Sequence, residues 1–353
     1  MNVNVVKLGR YSVGRGYVPL IVAEMSGNHN GSLARALEIV DRAATAGAHA
    51  VKLQTYTAAT MTLPLSTGEF FISDPQNPWT GQSLYDLYDT AHTPWEWHAP
   101  IFERCRHHGL IAFSSPFDIS AVEYLETLDV PCYKIASFEN IDIALIKAAA
   151  ATGKPLIIST GMASVEEIGE AVSAARGAGC KALVLLKCTS SYPADAADSN
   201  LLTIPHLAKL FDCPVGLSDH TMGIGAALTS IALGAVLIEK HVTLDRADGG
   251  VDSEFSLDMN ELAALVRESL TGWRALGKVS YGPSSEEMRS LQYRRSLYIV
   301  EDMRAGEAFT VKNLRAIRPG AGLPPKFMNI ALGRAVRKPV KRGTPLSWHL
   351  IGP

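Results

Sequence analysis

The sequence predicts an α/β protein in which a (β/α)8 TIM barrel is followed by a small β-rich domain. Short runs rich in Val, Ile and Leu alternate with amphipathic stretches from residue 19 to about residue 276, and eight alternations over ~250 residues are typical of this barrel. A doubly wound open sheet also alternates, but the glycine-rich dinucleotide fingerprint expected after its first strand is missing. Beyond residue 276 the runs are shorter and are separated by Gly and Pro, which indicates a second domain.

Composition excludes several classes of function. With 47% hydrophobic and 19% charged residues, the 353-residue chain is expected to be soluble, with a large core. A net charge of −2 gives no basic surface for nucleic acid or an anionic membrane, and no apolar run reaches the ~20 residues of a membrane span. The N-terminus lacks the basic and apolar segments of a signal peptide, and the five cysteines are scattered. We therefore expect a cytoplasmic protein with free thiols.

The predicted strands follow one another in a regular order. Residues 1–18 contain a Gly-bounded turn and indicate a short hairpin before the barrel. The strands of the barrel are predicted at Pro19–Glu24, His49–Gln54, Leu110–Ser114, Cys132–Ala136, Pro155–Ser159, Ala182–Lys187, Pro214–Leu217 and Val236–Lys240.

One connection is much longer than a plain barrel requires. Residues 55–109 join the second strand to the third and are rich in aromatic side chains. Their last part must form the helix that packs on the third strand, and the remainder is long enough for a lid or a specificity loop. The alternative is a structural excursion that only buries its own aromatic side chains.

The domain boundaries follow from the change in composition. We place the barrel and its hairpin at residues 1–275, a polar linker at 276–292 and the second domain at 293–353. A domain of only about 60 residues has a modest core, so we expect it to lean on the barrel or on a second subunit.

Polar side chains recur where the predicted strands end, which is the end of a TIM barrel that holds the active site. Lysines inside the apolar runs V-K-L-Q, Y-K-I-A and L-L-K-C are costly to bury unless they meet anions. Together with the neighbouring Ser and Thr residues they predict an anionic ligand that carries phosphate and carboxylate. The alternative is that these lysines form structural ion pairs with Glu24, Glu139 or Glu239.

Two histidines, His220 and His241, each follow an apolar run, and a helical stretch separates the two runs. A βαβ unit brings both strand ends to one edge of a parallel sheet, so both imidazoles can reach one point. Asp252 follows in a Gly-rich loop able to fold over that point. Two imidazoles completed by oxygen ligands suit Mn²⁺, Co²⁺, Fe²⁺ or Zn²⁺, and the lack of an obvious third protein ligand favours an open, catalytic ion.

These segments resemble the sialic acid synthase family. The similarity is carried, in the family's order, by A-E-M-S-G-N-H-N-G, V-K-L-Q-T, Y-K-I-A-S, I-I-S-T-G-M, K-C-T-S-S-Y-P, G-L-S-D-H-T-M-G and I-E-K-H-V-T-L. The last segment, with R-S-L-Y-I-V and I-R-P-G-A-G-L, is similar to the family's antifreeze-like (SAF-type) domain. The resemblance implies enzymes that condense phosphoenolpyruvate with an N-acetylated amino-hexose to give nine-carbon 2-keto sugar acids.

The resemblance also implies a role for each candidate residue. His220 and His241 would hold a divalent metal, with Mn²⁺ first and Mg²⁺ or Co²⁺ as alternatives. Arg318 would reach the sugar of the partner subunit in a domain-swapped homodimer. The phosphate and carboxylate of phosphoenolpyruvate would meet Lys52, Ser115, Lys134, Ser137, Ser159, Ser190 and Ser218. The sugar or the reacting carbons would face Glu24, Gln54, Tyr192 and Asp252, of which Glu24 would position or deprotonate the reacting water.

The subfamily is indicated by four further segments, which resemble pseudaminic acid synthases more than N-acetylneuraminate or legionaminate synthases. They are L-Y-D-L-Y…H-T-P-W-E-W-H, Y-K-I-A-S-F-E-N, G-G-V-D-S-E-F-S and S-Y-G-P. Ser190 and Ser115 depart from relatives that carry Asn and Thr there, but both keep a donor to an anion. From other functional classes, the alternatives are a Schiff-base pyruvate aldolase with Lys134 or Lys187 as nucleophile, and a degenerate barrel that carries a glycan- or ice-binding module.

Overall fold

Eight parallel strands form a closed barrel in the computed structural model, which describes residues 5–75, 77 and 79–353. Neighbouring strands pair in chain order, and the last strand pairs with the first, with Leu237 opposite Leu20. This arrangement confirms the predicted (β/α)8 barrel. With the two strands of an N-terminal hairpin placed first, the strands are β1 (Val6–Leu8), β2 (Tyr11–Val13), β3 (Leu20–Glu24), β4 (Ala50–Thr55), β5 (Ile111–Pro116), β6 (Tyr133–Ile135), β7 (Leu156–Ser159), β8 (Leu183–Cys188), β9 (Val215–Ser218) and β10 (Leu237–His241).

The predicted N-terminal hairpin consists of β1 and β2, which pair antiparallel with Val6 opposite Val13. Residues 1–4, which the prediction included, lie outside the described residues. The buried apolar side chains of the hairpin join Val22 and Phe113 in one cluster inside the barrel. The hairpin therefore fills the N-terminal end of the barrel, and the polar strand ends lie at the other end.

At least one helix follows each strand of the barrel. The helices are α1 (Leu33–Ala46), α2 (Ala58–Met61), α3 (Leu84–Ala91), α4 (Trp95–His107), α5 (Ile119–Thr127), α6 (Ile143–Ala151), α7 (Val165–Gly177), α8 (Thr203–Phe211), α9 (Gly225–Ala232) and α10 (Met259–Leu276). The side chain of Ser32 caps α1, and Gly47 ends it at φ 87°. Ser164 and Glu167 form a capping box on α7. Among the described residues, no helix combines the length and the apolar character that crossing a membrane requires.

The two-residue period of the strands decides which side chains enter the barrel. In β10, Glu239 and His241 face the interior, whereas Lys240 lies on the opposite face, where its Nζ is 2.9 Å from Asp219 Oδ2. In β4 the same period puts Lys52 on the inner face, between two apolar residues that pack towards the helices. The interior near the carboxyl ends of the strands is therefore polar, while the layer below it is apolar.

The long connection between β4 and β5 contains α2, α3 and α4, and α4 packs on β5 as predicted. Within it, the indole nitrogen of Trp79 donates a hydrogen bond to the carbonyl oxygen of Val251 at 2.8 Å, and its ring lies 6.0 Å from that of Tyr192. The connection thus reaches loops that follow β8 and β10, which agrees with a lid better than with an excursion that buries only its own aromatics. Residues 76 and 78 lie outside the described part of this connection.

Residues 278–353 form a second compact unit, and residues 1–277 form the first. In the second unit β11 (Ser296–Ile299) pairs antiparallel with β12 (Leu314–Ile317), isolated β-bridges extend this pairing, and a short helix α11 (Met328–Ala331) follows. Apolar side chains such as Leu297, Phe309 and Val336 form its own small core. This β-rich unit is the second domain that the sequence predicts. By its contacts, the predicted linker beyond residue 277 groups with this unit.

Candidate active site

Four buried charged residues, each from a different strand, meet inside the barrel near the carboxyl ends of the strands. We call Glu24, Lys52, Lys134 and Glu239 the lysine–glutamate cluster. Lys52 Nζ lies 2.7 Å from Glu24 Oε2 and 3.6 Å from Glu239 Oε1. Lys134 Nζ lies 3.3 Å from that same oxygen of Glu239. One carboxylate oxygen therefore bridges two ammonium groups, an arrangement that only the closed barrel can produce.

Uncharged side chains from neighbouring strands complete this cluster. Gln54 Nε2 donates to Glu24 Oε1 at 3.1 Å, and Ser218 Oγ donates to Glu239 Oε1 at 3.2 Å. Ser115 Oγ accepts a hydrogen bond from the β4 lysine at 3.2 Å. Gln54, Ser115 and Ser218, all predicted as site residues, thus contact the lysine–glutamate cluster directly.

Burial and ion pairing compete in setting the charges of the lysine–glutamate cluster. Burial disfavours the ammonium of Lys52, but Glu239 and Glu24 outweigh burial and raise its pKa. At Lys134 burial prevails over Glu239, and the pKa is lowered. Burial acts to raise the pKa of Glu239, but Lys134 and Lys52 overcome it and bring the value to about 2. Lys134 is thus the less compensated of the two ammonium groups, and an anionic ligand would compensate it.

A second group of serines lies around Gly161, where Ser137 and Ser190 approach the backbone and Ser159 stands two residues earlier in the chain; we call these three residues the hydroxyl cluster. Ser137 and Ser190 crowd Gly161 so closely that a Cβ at Gly161 would lie 2.7 Å from Ser137 Oγ. The backbone N–H of Gly161 donates to Ser137 Oγ at 3.1 Å. Ser159 ends β7, and its buried Oγ has no hydrogen-bond partner among the described residues. A buried donor of this kind, on the strand that pairs with the strand of Lys134, suits an oxyanion.

The two predicted histidines meet in a third group, the histidine cluster of Tyr192, His220, His241, Asp252 and Phe255. The ring centroids of His220 and His241 are 5.3 Å apart. The ring of Tyr192 lies 4.6 Å from His220, and that of Phe255 lies 5.1 Å from His241. Asp252 Oδ2 lies 3.4 Å from His241 Nδ1. The loop after β10 thus folds back over the histidines as expected.

Backbone and thiol contacts hold His220 in place. Its Nδ1 lies 2.8 Å from the carbonyl oxygen of Thr189 and 3.9 Å from Cys188 Sγ. Because a carbonyl only accepts, Nδ1 carries the hydrogen and Nε2 is left to bind another group. Burial opposes protonation, but Cys188 and the Thr189 carbonyl outweigh it and raise the pKa of His220. Burial likewise opposes the thiolate of Cys188, yet the imidazole lowers its pKa to about 7.

The residues of the histidine cluster fit a divalent metal. A ring N–H donated to a backbone carbonyl, as in His220, is the contact that commonly orients a ligating imidazole. Within the described part of the chain, no three His, Cys, Asp or Glu residues lie close enough together to hold an ion on their own. A metal would therefore have His220 and His241 as its protein ligands, with oxygen atoms of substrate or water completing its shell.

Known proteins share this architecture and chain length. The model of the NeuB family matches residues 39–281, and that of the SAF domain matches residues 294–351. The chain belongs to the NeuB family. It is 43% identical over 331 residues to the pseudaminic acid synthase of Helicobacter pylori, covering 93% of this chain and 96% of the relative. It is 34% identical to the N,N'-diacetyllegionaminic acid synthase of Legionella pneumophila, covering 94% of each.

A solved structure in the NeuB family gives the same fold. The N-acetylneuraminic acid (sialic acid) synthetase of Leptospira borgpetersenii, in complex with citrate, matches with a TM-score of 0.72 at 33% identity. The match covers 82% of this chain and 95% of that protein. The resemblance to the sialic acid synthase family, and to its antifreeze-like domain, is thereby confirmed.

The candidate residues of the barrel all lie in these three clusters or contact them. They are Glu24, Lys52, Gln54, Ser115, Lys134, Ser137, Ser159, Ser190, Tyr192, Ser218, His220, His241 and Asp252. Arg318 belongs to the second unit, where it directly follows β12. The predicted ion pairs of the lysines with Glu24 and Glu239 are present as well, so ion pairing and a role in the site occur together.

Sequence reasoning treats two glutamates, Glu139 and Glu239, only as possible ion-pair partners of the lysines and not as site residues. Glu239 stands two residues before His241, and the period of two in L-I-E-K-H was the signal that could have placed it on the inner face. Glu139 closes the turn after β6, and its buried Oε2 has no hydrogen-bond partner among the described residues. Burial raises the pKa of Glu139 to about 7, although Lys134 opposes that shift. Burial is the main cause that raises the pKa of Tyr192, and the charge of Glu139 adds to that shift.

Proposed function

We propose that this chain is a pseudaminic acid synthase that condenses phosphoenolpyruvate, water and 2,4-diacetamido-2,4,6-trideoxy-L-altrose into pseudaminic acid and phosphate. The observation that carries the reaction class is an anion site of lysines and serines beside a histidine pair at one end of the barrel. The higher identity to the H. pylori enzyme than to the legionaminic acid synthase favours this sugar. The N-acetylneuraminate and legionaminate syntheses are the alternatives within the family.

Phosphoenolpyruvate binds, in this proposal, at the lysine–glutamate and hydroxyl clusters. Its negative charge compensates Lys134, the ammonium that burial leaves least stabilised. The unpartnered hydroxyl of Ser159, together with Ser137 and Ser190, donates to phosphate or carboxylate oxygens. Because Glu239 already holds both lysines in place, little reorganisation accompanies binding.

The sugar aldehyde is assigned to the histidine cluster. His220 and His241 would hold a divalent metal, for which we propose Mn²⁺ with Mg²⁺ or Co²⁺ as alternatives. When bound, such an ion supplies a Lewis acid that polarises the aldehyde oxygen. Tyr192 and Asp252 flank the two imidazoles and face the sugar, and the sugar's N-acetyl group meets Arg318 of the partner subunit.

The reaction is a carbon–carbon bond formation followed by hydration and loss of phosphate. C3 of phosphoenolpyruvate attacks the aldehyde carbon, which leaves C2 cationic and the aldehyde oxygen as an alkoxide. Water adds to C2, and the C2–O bond to phosphate then breaks, which leaves the keto group. The two protons of the water go to the alkoxide, by way of Glu24, and to the departing phosphate. Glu24 is held for this task by Lys52 and Gln54.

A Schiff-base aldolase is the alternative from another reaction class. Its nucleophile would be Lys134 or Lys187, but Lys134 is ion-paired with Glu239 and Lys187 donates to the carbonyl oxygen of Cys188 at 2.8 Å. Neither lysine therefore presents an uncommitted amine. Borohydride added with pyruvate is expected to leave the chain unmodified, and a trapped adduct would favour the aldolase.

A domain-swapped homodimer is proposed from two features of the chain. Exposed apolar side chains stand on the loops that follow the barrel strands; they are Phe138, Ile141, Met162, Leu202 and Met222. Residues 278–353 carry 14 Lys and Arg against 5 Asp and Glu, whereas residues 1–277 carry 19 against 30. The basic second unit of one copy is therefore complementary in charge to the acidic barrel of another.

We propose a cytoplasmic location because the thiols are reduced. All five cysteines are buried and free, as is usual for proteins of reducing compartments. We propose that the product enters the biosynthesis of surface glycans, with flagellin glycosylation as one such use.

The proposed function is tested with the purified enzyme, phosphoenolpyruvate, Mn²⁺ and either the altrose derivative or N-acetylmannosamine. We expect turnover of the altrose derivative; turnover of N-acetylmannosamine alone would contradict the assignment. In H₂¹⁸O the label should enter the keto acid and not the phosphate, because the C–O bond of phosphoenolpyruvate breaks. A thermal shift with phosphoenolpyruvate plus Mn²⁺ separates an enzyme from a degenerate barrel, which should show none.

A further inference from the structure

Ser26 follows β3 in a backbone conformation that serine rarely adopts. Its φ is 46°, in the left-handed region that costs a residue with a Cβ about 1 kcal/mol. The residue is only 5% exposed, so its hydroxyl must find a partner inside the protein. Glycine would adopt this backbone without strain, which indicates that the serine side chain makes an interaction that glycine would lack.

That interaction is with Asp252. The hydroxyl of Ser26 donates a hydrogen bond to Asp252 Oδ2, the oxygen that also lies 3.4 Å from His241 Nδ1. Both carboxylate contacts thus involve one oxygen, shared between the loop after β3 and the end of β10. Hydrogen bonds to a charged group are worth more than those between neutral groups, so this bond fixes the direction of the carboxylate.

The backbone of Asp252 is anchored by other groups. Its N–H donates to Asn28 Oδ1 at 3.3 Å, and its carbonyl oxygen accepts from Ser256 Oγ at 2.6 Å. Asn28 Nδ2 also donates to Ser256 Oγ at 2.8 Å. The two loops approach so closely that a Cβ on Gly250 would lie 3.1 Å from Asn28 Oδ1. The loop therefore stays docked without Ser26, whose separate effect is on the carboxylate.

We propose that Ser26 is a positioning residue that turns the carboxylate of Asp252 so that Oδ1 accepts a hydrogen bond from the sugar. With Oδ2 engaged by Ser26 and His241, Oδ1 is the oxygen left to accept from a hydroxyl or an acetamido N–H. This inference rests on the proposed function, in which Asp252 faces the sugar. The strained backbone at Ser26 is the structural cost of placing a hydroxyl there.

The substitution Ser26→Gly tests this, because it removes the hydroxyl and relieves the backbone at the same time. We expect an unfolding temperature equal to or above that of the wild type, with kcat/KM for the sugar about tenfold lower, the size of effect for one hydrogen bond to a charged group. The KM for phosphoenolpyruvate should stay within about twofold, since that ligand lies at other clusters. If Ser26 had only a structural role, the substitution would instead change the unfolding temperature without lowering kcat/KM for the sugar selectively.

Ser26→Ala and Asp129→Gly are the matched controls. Ser26→Ala should lose the same activity but melt below Ser26→Gly, because it keeps the strained backbone. Asp129 is an exposed residue at φ 51°, so Asp129→Gly relieves a similar backbone away from the three clusters and should leave the kinetics unchanged. In an Asp252→Ala background, Ser26→Gly should change kcat/KM by less than about twofold.

The outcomes separate this inference from the proposed function. If the wild type converts the sugar and Ser26→Gly is equally active, or if its loss adds fully to that of Asp252→Ala, the inference is wrong and the function stands. If the wild type converts neither sugar, the function is wrong. Urea unfolding of the single and double variants still tests the contact in that case, and additive changes in the free energy of unfolding would overturn it.

Discussion

The lysine–glutamate cluster and the histidine cluster lie at the same end of one barrel but are stabilised by different means. In the first, every ammonium group meets a carboxylate, and Glu239 serves both lysines. In the second, aromatic rings surround two imidazoles and one carboxylate stands beside them. The protein therefore supplies a carboxylate for each ammonium group of the lysine–glutamate cluster, whereas the histidine cluster has a single carboxylate beside its two imidazoles.

Removal of the metal proposed for His220 and His241 should separate the two clusters most strongly. Chelation is expected to lower turnover at least about 1000-fold, because the aldehyde is no longer polarised, and Mn²⁺ should restore it. Phosphoenolpyruvate binding, followed by thermal shift, should weaken by less than about threefold. His241→Gln should reproduce the effect of chelation, and His349→Gln in the second unit should not. If chelation abolished phosphoenolpyruvate binding as well as turnover, the two clusters would not be functionally distinct.

Glu239→Gln should be the most damaging substitution for stability in the lysine–glutamate cluster. It leaves two buried lysines with a single carboxylate, and breaking a buried ion pair costs about 3–5 kcal/mol. Urea unfolding measures this loss. Asp302→Asn, which removes an exposed ion pair with Lys341, is the control and should leave the unfolding midpoint unchanged. A stable Glu239→Gln protein would mean that the lysines do not need their counter-charge.

Glu139 closes the turn after β6, the strand that carries Lys134, and should make stability depend on pH. Burial raises its folded pKa from 4.5 to about 7, so the folded state binds the proton more tightly than the unfolded state does. The resulting stabilisation is fully present below pH 4.5 and is lost as the pH rises to about 7. Glu139→Gln should therefore be more stable than the wild type at pH 8 by up to about 3 kcal/mol, and close to it at pH 4.5. Parallel pH profiles from urea unfolding would contradict this.

Trp79→Phe should give the smallest effect, and that effect should be confined to the histidine cluster. A smaller aromatic ring is kept, but the hydrogen bond from the indole nitrogen to the carbonyl oxygen of Val251 is lost. We expect the KM for the sugar to rise about three- to tenfold, while that for phosphoenolpyruvate stays constant. Trp348→Phe, in the second unit, should change neither value. An equal rise in both constants would show that the long connection serves the whole site.

The sequence predicts the barrel well because its signals are local. Apolar runs with flanking helices mark all eight strands, and the predicted bounds differ from the observed ones by at most two residues, as for Pro214–Leu217 and Val215–Ser218. The convergence of His220 and His241 also follows from one βαβ unit. Each of these inferences uses residues close together in the chain.

Contacts between distant segments are the part that the sequence does not predict. The sequence offers Glu239 only as one of three possible partners for the lysines, and closure of the barrel brings one of its oxygens to both Lys52 and Lys134. The strain at Ser26 depends on Asp252, which lies 226 residues later. Neither pairing has a local signature, because the stabilising energy comes from a partner on another strand or loop.

Closure of the barrel by β3 and β10 has a consequence for biosynthesis. In the register of the sheet His241 stands beside Glu24, and Glu24 stands beside Lys52. The strand β3, which is the first barrel strand to be translated, therefore lies between a strand of the histidine cluster and a strand of the lysine–glutamate cluster. On the ribosome β3 has one unpaired edge until residues 237–241 emerge, and a nascent chain that ends earlier exposes the open edges of β3 and β9. Assembly of the catalytic centre is thus one of the last events in the synthesis of this barrel, and premature termination yields chains prone to aggregate.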